Sequence, residues 1–404
     1  MNNSTDVRGR LINFAKSSGF EHECLMYGDR NISYLATFGT DPVLTFKPES
    51  NINQWEEIAD FFLQHQEKFV FGFIGFDPNG FLKPKDAQFP YKTFLFAPRE
   101  VFVSNAEGLF QIYPTQERIH HDSIDQDVSG PIQAYCRLKE KSLHSEEYLH
   151  YLKALKTEII RGSIDRLTAA RRVYLPMMID DLTIFFSSMS CETDISKNFY
   201  FSNKSENFAF AGQSPEILAQ GSVDQGFFTH KLSGTYPVDN NRPIEEQLKN
   251  FLQDSKIIKE HRSAMVTLEK QLNDLGDVFK KRDFECLVLP SLIHGITSFF
   301  TKPQKHMHIT QCLKSVFPYG MSPVNNAVSF LDKFSTISRG PYYGLVGMKE
   351  PKGFFSFTQV LRTVFEYQNK QFVLSGAAIT LESDPKVEME ESIHKIYSIF
   401  SSFV

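Results

Sequence analysis

The chain has 404 residues, a formal charge of −5, 41% hydrophobic and 23% charged residues, which describes an ordinary globular protein long enough to bury a large core. The weak negative charge offers no electrostatic footprint for nucleic acid, and no apolar run approaches the roughly 20 residues of a membrane span. The start, MNNSTDVRGR, lacks an apolar segment behind a basic one, so no signal peptide is expected. Cys24, Cys136, Cys191, Cys286 and Cys312 are scattered and without CxxC spacing, as in a cytoplasmic protein with reduced thiols. With 39 Phe against one Trp, the composition suggests aromatic packing between sheets.

Residues 1–115 alternate short β-like runs with Gly- and Pro-marked turns (LMYGDRNISYLATF, DPVLTFKP, FVFGFIGFDPNGF, TFLFAPREVFVSN, GLFQIYP), as expected for antiparallel hairpins. A helix is expected over Asn53–Glu67, and a polar surface connection over Glu117–Gly130. His120 and His121 in that connection raise the thought of a metal, but adjacent histidines in a polar loop are ordinarily solvated. The chain is thus read as an N-terminal β-rich portion, 1–130, and a further portion, 140–404.

Ser145 with Glu146 and Glu147 reads as an N-cap and acidic first turn, and Tyr148, Leu152, Leu155 and Ile159 recur at helical spacing up to Gly162. Strands follow in IDRLTAARRVYL, NFYFSN and FAFAGQSPEILAQG. Phe251–Leu275 reads as one long amphipathic helix with Ile258, Met265, Leu268 and Leu272 buried. Beyond Gly320 come a helix (NNAVSFLDKF), strands GPYYGLVGMKE and FFSFTQVLRTVFEY turning at PKG, strand QFVLSGAAITLES, and a last helix from about Val387.

That last helix carries Glu388, Glu391 and Lys395 at i, i+3 and i+7, on one face at 3.6 residues per turn. Two carboxylates and an ammonium on one stripe can hold a divalent cation beside an anionic ligand, with Glu260 and His261 as an opposing half. A solvated face of helical charge pairs is the plain reading of the same residues. The other motifs are equally double-edged. Glu216 after Ser214-Pro215 is a general acid in a cleft or an exposed helix start. Lys231–Thr235 (KLSGT) ends a strand in a Gly-Thr turn that binds a carboxylate or merely turns. Arg362 interrupts an apolar pattern and needs an acidic partner or an anionic ligand. Gly376 marks a close backbone approach or a bulge, and His294 by itself reads as a structural histidine.

The order of these motifs is specific. SPE, L-x-GT, D-x-K-x-x-x-EH, a lone His, RGxYxG, LRT, a Gly-Ala turn and SDPxxExxExxxxK resemble the chorismate-utilising enzymes, which include anthranilate synthase component I, aminodeoxychorismate synthase component I, isochorismate synthase and salicylate synthase. The resemblance is close over about 145–404 and looser before it. It implies an α+β fold of two large antiparallel-rich sheets packed face to face with helices outside, forming one catalytic unit. It implies Mg²⁺ held by Glu260 and Glu391, with Glu388 nearby, as suits a hard cation that takes oxygen ligands. Arg362, Lys395, Tyr342 and the backbone near Gly376 would fix a chorismate carboxylate, with Thr235 also binding ligand. Glu216 would protonate the departing 4-hydroxyl while a nucleophile adds at C2, and His294 matches the family's histidine.

Four departures accompany it. Arg166 replaces the lysine that activates water in isochorismate and salicylate synthases, and a guanidinium with a pKa above about 12 cannot act as that base. FPYGMSPVNNAVSF loses the later Gly, Pro and Lys of the family's Gly-rich loop, Ile257 stands where a further Glu is usual, and Ala378 replaces the last Gly of GAG. KLSGT resembles the LAGT of the water-using branch, which is the favoured reading, while FGFIGFD (Phe71–Asp77) resembles the GYxGYD of the aminating branch. Amination would call for a glutamine amidotransferase subunit or free ammonia, since no amidotransferase motif is seen here. A ligand-binding relative without turnover is the third reading, resting on Arg166 and the altered loop.

Overall fold

The computed structural model describes residues 4–39, 41–50, 52–82, 89–119, 129–140, 143–179, 182–183, 186, 195–289, 291–335 and 337–400. His120, His121 and Cys191 lie outside them. The chain begins with helix α1 (Ser4–Ser18), then strands β1 (Glu23–Gly28), β2 (Ile32–Thr37) and β3 (Val43–Phe46), and helix α2 (Trp55–Gln64). Strands β4 (Val70–Ile74), β5 (Thr93–Phe96), β6 (Val101–Asn105), β7 (Gly108–Tyr113) and β8 (Glu117–Ile119) follow, then α3 (Ser129–Glu140) and α4 (Glu146–Ile160). Next come β9 (Arg166–Tyr174), β10 (Lys197–Asn203), β11 (Phe208–Ser214), β12 (Ile217–Ser222) and β13 (Gly226–Pro237). Helices α5 (Ile244–Gln253) and α6 (Ser255–Asn273) precede β14 (Gly276–Val288), β15 (Leu292–Pro303), α7 (Ile309–Val316), β16 (Met321–Ser322) and α8 (Val324–Phe334). Strands β17 (Leu345–Lys349), β18 (Phe355–Gln359), β19 (Thr363–Tyr367) and β20 (Lys370–Ile379) lead to α9 (Pro385–Ser398).

The strands form an 11-stranded sheet, ordered β16-β9-β20-β19-β11-β10-β1-β2-β6-β7-β8, and a 9-stranded sheet, ordered β14-β15-β13-β12-β18-β17-β4-β5-β3. Neighbours pair antiparallel, for example β10 with β11 and β13 with β15. This is the expected α+β architecture. Strands from before residue 130 enter both sheets, β1 and β2 one and β3 to β5 the other.

Strand β10 shows why both sheets are apolar on two faces. Every residue of Lys197–Asn203 is buried: Phe199 and Phe201 pack into the layer between the sheets, while Tyr200 packs on the other face with α1 and α9. β11 repeats the alternation, with Phe208 and Phe210 inward and Ala211 toward the helices. The inter-sheet layer is the aromatic core that the Phe count suggests. Phe73 of β4 lies edge-on to Phe201 and Phe210 at 5.3 and 5.5 Å between ring centroids, which joins the two sheets directly. A second cluster sets α2, α6 and α7 against the smaller sheet, and a third sets α1, α3 and α9 against the larger.

The helix signals at Ser145 and in the C-terminal stretch hold. The Ser145 side chain accepts from the Tyr148 amide, and Asp384 accepts from Lys386 and Val387 with Pro385 in the first turn. The single helix expected over Phe251–Leu275 is two. Asp254 is extended and caps α6 by accepting from the Lys256 and Ile257 amides, so α5 stops at Gln253. Recapping rotates the buried stripe, which starts from Ile257 and leaves Ile258 only half-buried. FFSFTQVLRTVFEY is likewise two strands in different sheets, because the chain crosses between sheets at Val360–Arg362.

Phe73→Ala should leave a cavity between the sheets and lower the unfolding free energy by about 3–5 kcal/mol, whereas Phe73→Leu should cost about 1.5 kcal/mol or less. Urea unfolding of the two variants checks this; equal midpoints for both would mean that the ring contacts do not join the sheets.

Candidate functional site

Two crossovers between the sheets build the centre of the site. The chain leaves the larger sheet after β11, turns at Pro215–Glu216 and enters the smaller sheet as β12; further on it leaves β18 and returns as β19 through Arg362. The crossovers lie side by side. The Gln359 amide and the Thr358 hydroxyl donate to the Glu216 carbonyl at 3.0 and 2.6 Å, and the Gln213 amide donates to the Arg362 carbonyl at 3.3 Å. Arg362 has a left-handed backbone, φ 46°, which a non-glycine residue holds only where the surroundings impose it.

Beside them opens a cavity of about 410 Å³. All the site residues expected from the sequence line it except Glu388 and His261, which is instead buried against the Ser233 carbonyl and the Thr297 hydroxyl at 3.1 and 2.7 Å. Glu260 from α6 and Glu391 from α9 therefore share one cavity wall, though 131 positions apart. Arg166 enters at the start of β9, next to the altered loop, whose Met321 and Ser322 pair as β16 with Leu167 and Arg166. Gly376 lies in β20, and its carbonyl accepts from Lys395 Nζ at 3.2 Å. A Cβ at Gly376 would sit 1.9 Å from the Ala169 carbonyl oxygen, so the glycine marks a close approach of β9.

KLSGT does not end its strand. β13 runs on to Pro237, and Gly234, at φ 79°, is a bulge where the register against β15 shifts between Ser233 and Thr235. The bulge sets Thr235 opposite His294. Arg362 Nη2 lies 3.1 Å from His294 Nε2; a guanidinium only donates, so Nε2 accepts and Nδ1 carries the hydrogen, 3.3 Å from the Gly234 carbonyl and the Thr235 hydroxyl. Burial, then the charges of Arg362 and Lys395, hold the His294 pKa well below the ordinary histidine range. It is a neutral ring that fixes Arg362, so both readings of His294 apply at once.

The acidic side chains are arranged in pairs. Glu391 Oε1 lies 2.6 Å from Lys395 Nζ, and burial and neighbouring Glu391 act oppositely on that ammonium, with a net rise in its pKa. Glu388, 3% exposed, is turned away from the cavity toward Lys256 Nζ at 3.0 Å. Glu260 accepts from Ser233 Oγ at 3.3 Å; burial, then Glu391 and Glu388, push it up to about 7. Tyr342 is buried, and burial raises its hydroxyl to about 12. Among the described residues no three carboxylate, imidazole or thiolate groups converge closely enough to hold a metal ion in this arrangement. The donor chemistry nevertheless fits one. Three carboxylates repel each other around one wall, with Glu260 driven toward its neutral form, and an oxygen-seeking cation would relieve that repulsion.

The sequence reading overlooked Lys231. It lines the cavity, and its Nζ contacts Glu216 Oε1, both side chains being largely buried at 20% and 5% exposure. Its signal was a charged residue two positions before Ser233, hence on the same strand face. Tyr343 and Thr168, hydrogen-bonded to each other at 3.2 Å, also line the wall unanticipated.

Ile257, where a further Glu was expected by resemblance, packs against the bulge: a Cβ at Gly234 would lie 2.6 Å from Ile257 Cγ2. Gly234→Ala should therefore lower the unfolding free energy by about 2 kcal/mol through backbone strain and this clash. In the Gly234→Ala/Ile257→Ala double variant the two losses should be less than additive in urea unfolding; strict additivity would rule out the contact.

A family model described as chorismate binding enzyme matches residues 18–401. Anthranilate synthase component 1 of Pseudomonas aeruginosa is 23% identical over 270 residues, covering 64% of this chain and 53% of that one. The chain spans about half the length of most of the curated relatives it matches. Among solved structures, the menaquinone-specific isochorismate synthase of Escherichia coli superposes with TM-score 0.69 at 14% identity, covering 100% of this chain and 92% of that one. Anthranilate synthase component I of Streptococcus pneumoniae gives TM-score 0.70 at 14% identity over 92% of each chain. No helix among the described residues is long and apolar enough to cross a membrane. With the model matched over nearly its whole length, the chain belongs to the chorismate binding enzyme family.

Proposed function

We propose that the protein converts chorismate by Mg²⁺-dependent substitution at ring C2 with loss of the 4-hydroxyl, and that the incoming nucleophile is ammonia. The observation that carries the reading is the cavity that Glu216, Lys231, Arg166, Arg362 and Lys395 line together with Glu260 and Glu391. Chorismate carries two carboxylates. Arg362, oriented by neutral His294, and Lys395, bound to the Gly376 carbonyl, are suited to grip one of them. Glu260 and Glu391 would hold the cation, which when bound supplies positive charge for the other. Glu216 is the proton donor to the leaving oxygen.

Ammonia is favoured over water by Arg166. Water must lose a proton to become a competent nucleophile, and the guanidinium at the place of the water-activating lysine cannot accept it. Ammonia is nucleophilic as it stands. The curated relatives named anthranilate synthase component 1 agree with this branch, and ammonia would come from solution or from a glutamine amidotransferase subunit. The water-using, isochorismate or salicylate synthase type remains the second reading, favoured by Leu232 and Ser233 in KLSGT.

Chorismate and Mg²⁺, incubated with the protein with and without ammonium and resolved chromatographically, separate the readings. An aminated product only with ammonium is expected; isochorismate or salicylate without it would replace ammonia by water. Saturable chorismate binding without any product would leave a binding protein and end the enzymatic reading. Glu216→Gln should lower turnover by about 10²–10⁴-fold with chorismate binding largely kept, and a rate within a few-fold of wild type would remove it as the acid. Arg166→Lys should raise any water-dependent product. Glu391→Gln should abolish both activity and the response to added Mg²⁺, so a variant with a normal metal response would move the cation elsewhere.

A further inference from the structure

We propose that Lys231 is the store of the proton that Glu216 delivers to the leaving 4-hydroxyl, so that the two side chains act as one relay. The inference rests on the C2 substitution by ammonia proposed above. Lys231 Nζ is in direct contact with Glu216 Oε1 inside the cavity. In such a pair the shared proton resides on nitrogen, so a Glu216 that must donate has to draw the proton from its partner. Strand geometry holds the two together. Lys231 projects from β13 on the same face as Ser233, and Glu216 is pinned at its crossover by the Thr358 and Gln359 hydrogen bonds to its carbonyl.

The proton count closes. The pair starts as ammonium and carboxylate; the proton passes from Lys231 to Glu216, and from Glu216 to O4 as the C4–O bond breaks and water leaves. The nucleophile forms its bond at C2 while the ring double bonds shift. Once bound at C2, the added ammonia gives up one proton, and the neutral Lys231 amine accepts it. The starting pair is restored without any other acid, base or reductant.

The charged and titratable groups facing Lys231 are Glu216 from the β11–β12 crossover, Tyr343 from the segment before β17, Arg166 from β9 and His261 from α6. Burial would depress the ammonium most, but Glu216 and Tyr343 together outweigh it and the net direction is upward. Wild-type turnover then needs Lys231 protonated, and its alkaline limb lies at or above the ordinary lysine range. Without the amine, Glu216 must take its proton from solvent, so the rate should fall at alkaline pH where wild type is still active.

The test compares wild type, K231M and K231R with chorismate, Mg²⁺ and ammonium across pH, with thermal melting and chorismate binding as checks of folding. K231M should lower kcat by about 100-fold or more at pH 8 with KM within about threefold, and its alkaline limb should shift downward by several pH units. K231R keeps the charge and the ion pair but cannot release the proton, so it should fold and bind normally yet stay at least about tenfold below wild type. K231R at the wild-type rate and pH profile would make Lys231 a counter-ion only and overturn the relay while leaving the proposed function intact. No turnover by wild type, with or without ammonium, would overturn the function and the relay together.

Discussion

The structure depends on two strands changing sheets at the same place. A face-to-face sandwich has no natural opening, because each sheet must cover the other's apolar face. Here β11 passes into β12 and β18 into β19 side by side, and the backbones of the two crossings satisfy each other: Glu216 accepts from Thr358 and Gln359, and Arg362 accepts from Gln213. The side chains at the crossings cannot follow either pleat, so they project into the gap. A left-handed Arg362 costs on the order of 1–2 kcal/mol. The buried Phe73, Phe201, Phe208 and Phe210 each contribute about as much or more. The aromatic layer therefore does more than hold the sheets together, since it keeps a strained arginine and a buried carboxylate in position.

The cavity's charges are matched unevenly. Lys231 is committed to Glu216 and Lys395 to Glu391, whereas Arg166 has no ion pair among the described residues. Cationic capacity is thus left over on one side and carboxylate repulsion on the other, where Glu260 is driven up to about 7. A ligand that is itself anionic, accompanied by a cation, answers both imbalances at once, and a neutral ligand answers neither.

Much of this was legible in the chain. Ser145 is a local signal whose capping hydrogen bond spans three residues, and the ordered motifs singled out Glu216, Glu260, Arg362 and Glu391, which line one cavity. What the sequence hid was set by partners far away. FFSFTQVLRTVFEY reads as a single strand because β propensity does not say which sheet a residue joins. Gly234 reads as a turn because its bulge exists only in the register with β15, some sixty residues on. The apolar period runs unbroken through Asp254, and only the cap geometry separates Ile257 from Ile258. Lys231 was overlooked for the same reason, since its partner comes from another crossover rather than from its own strand.

Ile257 ties the departures to one another. A glutamate there would add a fourth carboxylate to a wall where Glu260, Glu388 and Glu391 already repel each other. An isoleucine instead fills the space under Gly234 and supports the bulge from which Thr235 meets His294, and through His294 reaches Arg362. The substitution therefore exchanges an electrostatic role for a packing one.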